Sequence, residues 1–259
     1  MPTDPRVSVA NLPAVRVVDG VCELVGRTPL VRLRRVGDPA RAPIYVKLEQ
    51  HNPGGSMRDR YVLEVLQRAV AGGQLVQGDH VALAGLDDSA VSAAVLGPSL
   101  GVCVRVFAPE GSNERLLSMI ERFGAEVCWT SASGGLPSAV EEAAAWAREA
   151  PGRLFVDGFR RQAVRNAYGD IAREILEALH GRALGSFITS VTTGGTFREV
   201  SRHLRETSPD VRVGGAVLLD DVPLEALGAR EGDVLRRVSL EEAWRMRDIL
   251  AKQEGVFVG

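Results

Sequence analysis

The sequence is poor in cysteine, has no long apolar run and carries no surplus of positive charge, and each shortage removes a class of protein. Only three cysteines, Cys22, Cys103 and Cys128, occur in 259 residues. They are far apart, without metal-ligand spacing and without the paired pattern of a secreted disulfide scaffold. We read them as buried packing residues in a reducing compartment, and expect no bound metal. No uninterrupted apolar stretch approaches membrane-spanning length, and the N-terminus lacks the cationic region and apolar core of a signal peptide. A cytoplasmic protein with no membrane association is the expectation. Lys and Arg total 31 against 33 Asp and Glu, a formal net charge of −2. That balance offers no broad cationic field, so nucleic acid is not expected as a partner.

What the sequence has is 45% apolar residues and 28 glycines with no collagen-like period, the composition of a compact α/β protein with one or two cores. Strand and helix patterns alternate. The apolar segment Ile44–Leu48 enters a Gly54-Gly55 turn, and a helical pattern with Val62, Leu63, Val65 and Leu66 on its apolar side runs to about Ala71, where Gly72 and Gly73 stop it. Strands are expected near Val81–Ala84, Val102–Val106, Glu126–Trp129, Leu184–Thr189 and Val211–Leu218. Helices are expected at Ala90–Leu96, Glu114–Phe123, Leu136–Ala150, Ala163–His180 and Ser239–Gln253. The last opens with Ser239 and Glu242 at capping-box spacing, and its Trp244 and Ile249 are expected to help cover a core. Such alternation argues for parallel βαβ connections, with helices flanking twisted, parallel-rich sheets.

Three motifs carry the chemistry. Asn52-Pro53-Gly54-Gly55-Ser56-Met57-Arg58-Asp59-Arg60 joins a strand to a helix through a glycine turn, a geometry that presents backbone N–H groups and a positive helix end to an anion. Gly85-Leu86-Asp87-Asp88-Ser89 precedes another helix start, where Asp87 or Asp88 serves as a helix cap or as a repurposed acid or base. Thr192-Thr193-Gly194-Gly195-Thr196 opens a third helix. Its glycines admit close backbone approach and its hydroxyls can donate to phosphate oxygens, though the glycines alone would also serve a plain strand-to-helix turn.

The order and spacing of these motifs, together with Gly26-Arg27-Thr28-Pro29-Leu30 and Gly124-Ala125-Glu126, resemble the cysteine synthase and cystathionine β-synthase family of fold type II pyridoxal-phosphate enzymes over roughly residues 20–259. The resemblance implies a tryptophan-synthase-β-like fold of two α/β domains. The expected division is an N-terminal arm over 1–20, a larger domain over 21–48 and 154–259, and a smaller one over 49–153. In the family the first motif carries a lysine that forms a Schiff base with the cofactor. Here the matching position is Arg58, whose guanidinium stays protonated. On the family's asparagine loop, Asp87 stands for a glycine, Asp88 for the asparagine that bonds the cofactor ring oxygen, and Ala90 for a second glycine. Arg160 and Arg161 lie in a segment, Gly158–Val164, where the family has Gln-Phe-x-Asn-Pro-x-Asn, so its asparagines and proline are lost and cationic residues gained. The ending Gly255–Gly259 resembles the family just before a Ser-Ser-Gly segment, so a C-terminally truncated member is expected.

From these departures the expected function is a divergent, non-catalytic relative, a pseudoenzyme or partner-binding biosynthetic protein, with no cofactor. It would form a homodimer or a complex with an active biosynthetic enzyme, with a small anionic ligand at a residual phosphate loop of Thr193, Gly194, Gly195 and Thr196. The alternatives are an amino-acid β-replacement or β-elimination enzyme, pyridoxal phosphate then being bound non-covalently, and a cofactor-independent enzyme using the inter-domain cleft. For the latter Arg58, Asp87, Asp88 and Thr193 are the candidates, while His51 reads as a turn or surface residue.

Overall fold

The structure is a computed structural model that describes residues 17–38, 40–157, 161–192, 194–218 and 229–258. Of the sequence's expectations, the arm up to residue 16, Arg160, Thr193 and the acidic pair Asp220-Asp221 lie outside the described residues.

Two short strands, β1 (Leu30–Arg32) and β2 (Tyr45–Lys47), pair antiparallel, with Val31 opposite Val46. The chain then passes the glycine turn, where Gly55 takes a left-handed φ of 85° that a side chain would oppose. Helix α1 (Arg58–Ala71) follows, and the Ser56 hydroxyl accepts from the Arg58 N–H at 3.0 Å, satisfying one of the donors that a helix start leaves free. The apolar residues placed at helical spacing bury one face of α1: Tyr61, Val62, Leu63, Val65, Leu66 and Ala69.

A four-stranded parallel sheet comes next, in the order β5-β4-β3-β6. Its strands are β3 (His80–Ala84), β4 (Cys103–Pro109), β5 (Glu126–Thr130) and β6 (Arg153–Phe155). Parallel neighbours cannot be joined by a tight turn, and helices α2 (Asp88–Leu96), α3 (Glu114–Arg122) and α4 (Gly135–Arg148) make the crossovers. Eight of the nine α2 residues are Ala, Val, Leu or Ser, and the helix is buried from Ser89 to Leu96 between sheet and α1.

Helix α5 (Arg161–Leu179) then leads to a second parallel sheet, β7-β8-β9, built from β7 (Ser186–Val191), β8 (Arg212–Val217) and β9 (Val234–Arg237). Helix α6 (Gly195–Thr207) makes its first crossover, burying Phe197, Val200 and Leu204. A continuous core runs from α1 and α2 through α5 to α6 and β8. The chain closes with α7 (Leu240–Glu254), which carries the expected capping box: Ser239 Oγ accepts from Glu242 N–H at 3.1 Å, and Glu242 Oε2 accepts from Ser239 N–H at 2.8 Å.

Two packing expectations are corrected. Cys103 is exposed at the start of β4, and Cys22 and Cys128 are only half-buried, so none is a core residue. Trp244 is 56% exposed, because α7 anchors mainly through its last turn, where Leu250, Val256 and Val258 meet Leu33 and Leu48. Among the described residues no helix is long and apolar enough to cross a membrane.

Candidate functional site

The ends of three elements converge. Strand β7 stops at Val191, and Gly194, buried and at a left-handed φ of 77°, precedes α6, whose first-turn N–H groups have no side-chain cap. Thr196 on that turn donates to the Met57 sulfur at 3.5 Å, which places the α6 start against the turn that carries Arg58. A side chain at Gly195 would meet Val164 Cγ1 at 3.2 Å and Tyr168 Cε2 at 3.7 Å. Glycine is therefore what lets α5 and α6 approach here.

Arg58 points into this junction with Tyr168 of α5 and Tyr61 of α1 beside it and Asp87 nearby. Burial opposes its charge, but the two tyrosines and Asp87 outweigh that and hold the guanidinium above its ordinary range. It remains a permanent cation. Tyr61 is pushed up to about 12, burial being the main cause, so its hydroxyl stays protonated. Asp87 and Asp88 divide the roles that the sequence left open. Asp87 caps α2, accepting from the Ser89 N–H at 2.9 Å and the Ala90 N–H at 3.3 Å. Asp88 is the first helical residue, and burial followed by the Asp87 charge raises its carboxyl above the usual range while Arg58 opposes them. Replacing Asp87 with Ala removes both cap bonds, and a stability loss of about 1 kcal/mol is expected by urea unfolding; no loss would mean that the cap is redundant.

Two buried groupings that sequence reading missed hold the junction in place. Asp59, fully buried next to Arg58, accepts from the Gly54 N–H at 2.5 Å and lies against the Ser92 hydroxyl, whose single proton is shared between Asp59 and the Asp88 carbonyl, the latter at 2.8 Å. The glycine turn and the first turn of α2 are thus tied to one carboxylate. On the next turn Arg60 reaches Glu49 at 2.7 and 2.8 Å and Glu174 of α5 at 2.7 and 2.8 Å. Lys47 reaches Glu174 at 2.6 Å and also contacts Thr28. Burial would raise the Glu174 carboxyl, but hydrogen bonds from Arg60, Lys47 and the Arg27 N–H bring it down to about 2. Lys47 and Lys252 are the only lysines in the chain, and Lys47 is committed to this ion network. A signal was present, since both Glu49 and Arg60 lie within or beside the glycine motif, but nothing local pointed to Glu174, over a hundred residues away.

The remaining candidates separate. Arg161 opens α5, Arg165 is exposed on it, and His51 is exposed in a short 3₁₀ turn. A cavity of about 700 Å³ between α1 and α5, lined by Glu64, Arg68, Asp170 and Glu177 among others, contains neither Arg58, Asp88 nor Gly194.

An open twisted α/β fold of parallel sheets, with a left-handed glycine and a helix start gathered against a second glycine turn, defines a phosphate-cofactor class of enzyme. The family model for pyridoxal-phosphate dependent enzymes matches residues 21–217, and the chain belongs to that family. It is similar to a cysteine synthase of Staphylococcus aureus, at 27% identity over 95% of this chain and 86% of that protein. It is also similar to an O-acetylserine dependent cystathionine beta-synthase of Bacillus subtilis, at 26% identity over 94% and 85%. Among solved structures it resembles O-ureido-L-serine synthase, with a TM-score of 0.85 and 25% identity over 94% of this chain and 83% of that one.

These matches bear out the fold and the family, and they overturn four expectations. A pseudoenzyme, the loss of standard enzymatic activity, the absence of a cofactor, and the reading of Arg58 as the mark of such a loss all give way to membership in a family of pyridoxal-phosphate enzymes with β-replacement enzymes among its close likenesses. The departures at Arg58, Asp87-Asp88, Arg160-Arg161 and the C-terminus were given more weight than the family match over residues 21–217 allows. The residues present fit the phosphate end of pyridoxal phosphate: Gly194, Gly195 and Thr196 would form the cradle, and Tyr168, whose buried hydroxyl proton has no acceptor, packs against Gly195. At position 58 the side chain is a guanidinium, which does not condense with an aldehyde.

Proposed function

We propose that this chain is a pyridoxal-phosphate dependent enzyme acting by β-replacement or β-elimination on an amino acid such as an O-activated serine. The observation that carries this reading is the left-handed, buried Gly194 at the end of β7, which aims the start of α6 into the junction with Arg58. The family match and the printed names of its relatives support it. When bound, the cofactor supplies an electron sink for charge developing at the substrate α-carbon.

The chain's own residues supply the rest. Gly194, Gly195 and Thr196 would hold the phosphate, so that retention is non-covalent. Arg58 provides a fixed positive charge. Asp88, on the first turn of α2 and raised by desolvation and by Asp87, is the carboxyl placed to hold or move a proton. Asp59 and Ser92 keep that turn in register with Arg58. We also infer a homodimer, tested by light scattering for twice the 27.8 kDa chain mass.

The decisive experiment incubates purified protein and pyridoxal phosphate with O-acetylserine and sulfide, and measures cysteine formed. Cofactor-dependent product above the protein-free rate is expected, falling at least about tenfold in Asp88→Asn, since a positioned acid–base group contributes about 10²–10⁴-fold. Absence of cofactor-dependent turnover on this and other O-activated serines would sink the reading.

A further inference from the structure

The Tyr168 hydroxyl is the group that the site leaves unexplained. Tyr168 is 1% exposed in the middle of α5, and its buried Oη has the Arg58 guanidinium beside it, a donor, so the phenolic proton is left without an acceptor. Phenolic hydroxyls buried in this way are ordinarily paired, because leaving one unpaired is unfavourable by more than a formed bond returns. Its surroundings explain why the position is held by tyrosine. One ring edge, at the carbon next to the one that bears the hydroxyl, lies 3.7 Å from where a Cβ at Gly195 would sit, so the ring packs against the first turn of α6. On the other side is the Arg58 guanidinium, which makes no ion pair among the described residues. Three donor sources of one kind therefore lie in one neighbourhood: the start of a 13-residue helix, a phenol packed against it and a guanidinium beside the phenol. Such a set suits an anion with several oxygens.

We propose that Tyr168 is a phosphate-recognition residue, its hydroxyl donating to a phosphate group seated on the first turn of α6 while Arg58 supplies the countercharge. This inference rests on the reading of the site as one that holds a phosphate-bearing cofactor, and it assigns that recognition to a helix other than the one whose glycines mark the turn. Tyr168 here is a binding group, with no proton transferred. The carboxylates do not displace the anion from this position, because Asp87 is directed to the α2 N–H groups.

The test compares wild type with Tyr168→Phe, which keeps the ring and removes only the hydroxyl. Binding of inorganic phosphate, pyridoxal phosphate and pyridoxal is measured by calorimetry, and the Tm of each protein is recorded with and without each probe. Loss of a hydrogen bond to a charged group is expected to weaken pyridoxal phosphate and phosphate about tenfold to a hundredfold, with pyridoxal unchanged. The ligand-free Tm should be equal or higher in the variant, since an unpaired buried hydroxyl has been removed. A purely structural tyrosine would show the reverse, a lower ligand-free Tm and unchanged affinities, and would overturn the proposal. If wild type binds phosphate with Tyr168 dependence but not pyridoxal phosphate, the recognition role stands and the cofactor reading fails. If pyridoxal phosphate binds wild type and variant equally, the cofactor reading stands and the proposal fails; if no phosphate-bearing probe binds wild type, both fail.

Discussion

Glu174→Gln is expected to destabilise the chain by about 3–5 kcal/mol, the usual consequence of removing one partner from a buried ion pair. Glu174 receives two hydrogen bonds from Arg60, one from Lys47 and one from the Arg27 N–H. The Arg60 side chain is only 4% exposed and that of Lys47 10%, so neither charge can recover its hydration in the variant. Glu49 alone would face two cations. The pH dependence follows in sign. Glu174 falls from an ordinary 4.5 to about 2 on folding, so its contribution is fully present above about 4.5 and is lost as pH drops toward 2. Urea unfolding at pH 7 and pH 3 checks both parts: the gap between wild type and variant should be largest at neutral pH and narrow in acid. A gap below about 1 kcal/mol at pH 7 would show that the network is solvated and of little consequence.

Arg58→Lys is expected to change how the cofactor is held. A guanidinium cannot condense with an aldehyde, whereas a lysine amine beside two tyrosines can. Wild-type protein treated with pyridoxal phosphate and borohydride should therefore show no added mass at peptides containing residue 58, and the variant should show about one equivalent. Because a lysine there would also serve as an acid–base group, turnover in the β-replacement assay should rise by about 10²-fold or more. Mass spectrometry after reduction reads the first effect and steady-state kinetics the second. Covalent labelling of wild type at Lys47 would show that the ion network opens to admit the cofactor. Unchanged turnover in the variant would assign the proton transfer wholly to another group, Asp88 being the first to examine.

The two outcomes bear on different levels of the molecule. Glu174 concerns whether the frame around the glycine motif survives, and Arg58 concerns what the frame presents. A reader of the sequence alone could weigh only the second, and weighed it too heavily. Arg58 is a local fact, legible at once against the motif around it. The support that lets the site hold an anion is distributed: Gly194 and Thr196 come from one end of the chain, Met57 from another, and Tyr168 from a helix between them.

The alternation of strands and helices was legible because burial imposes period 2 on strands and period 3.6 on helices, and the glycines at 54, 55, 194 and 195 announce turns that other residues would strain. The capping of α2 by Asp87 and of α7 by Ser239 was legible too, since a cap and its partners lie within one helical turn of sequence. The sequence by itself therefore determined most of the elements, the parallel character of the larger sheets and the family, while the short strands β6 and β9 carried no pattern long enough to show. Only the tertiary structure decided that Glu174 closes the ion network on Arg60, that Ser92 ties Asp59 to the Asp88 turn, and that the Tyr168 ring packs against the start of α6 with Arg58 beside its hydroxyl. The reason is physical: periodicity and capping act between residues a few positions apart, whereas buried charges and hydroxyls find partners by proximity after the core has formed, and chain order carries no record of that proximity.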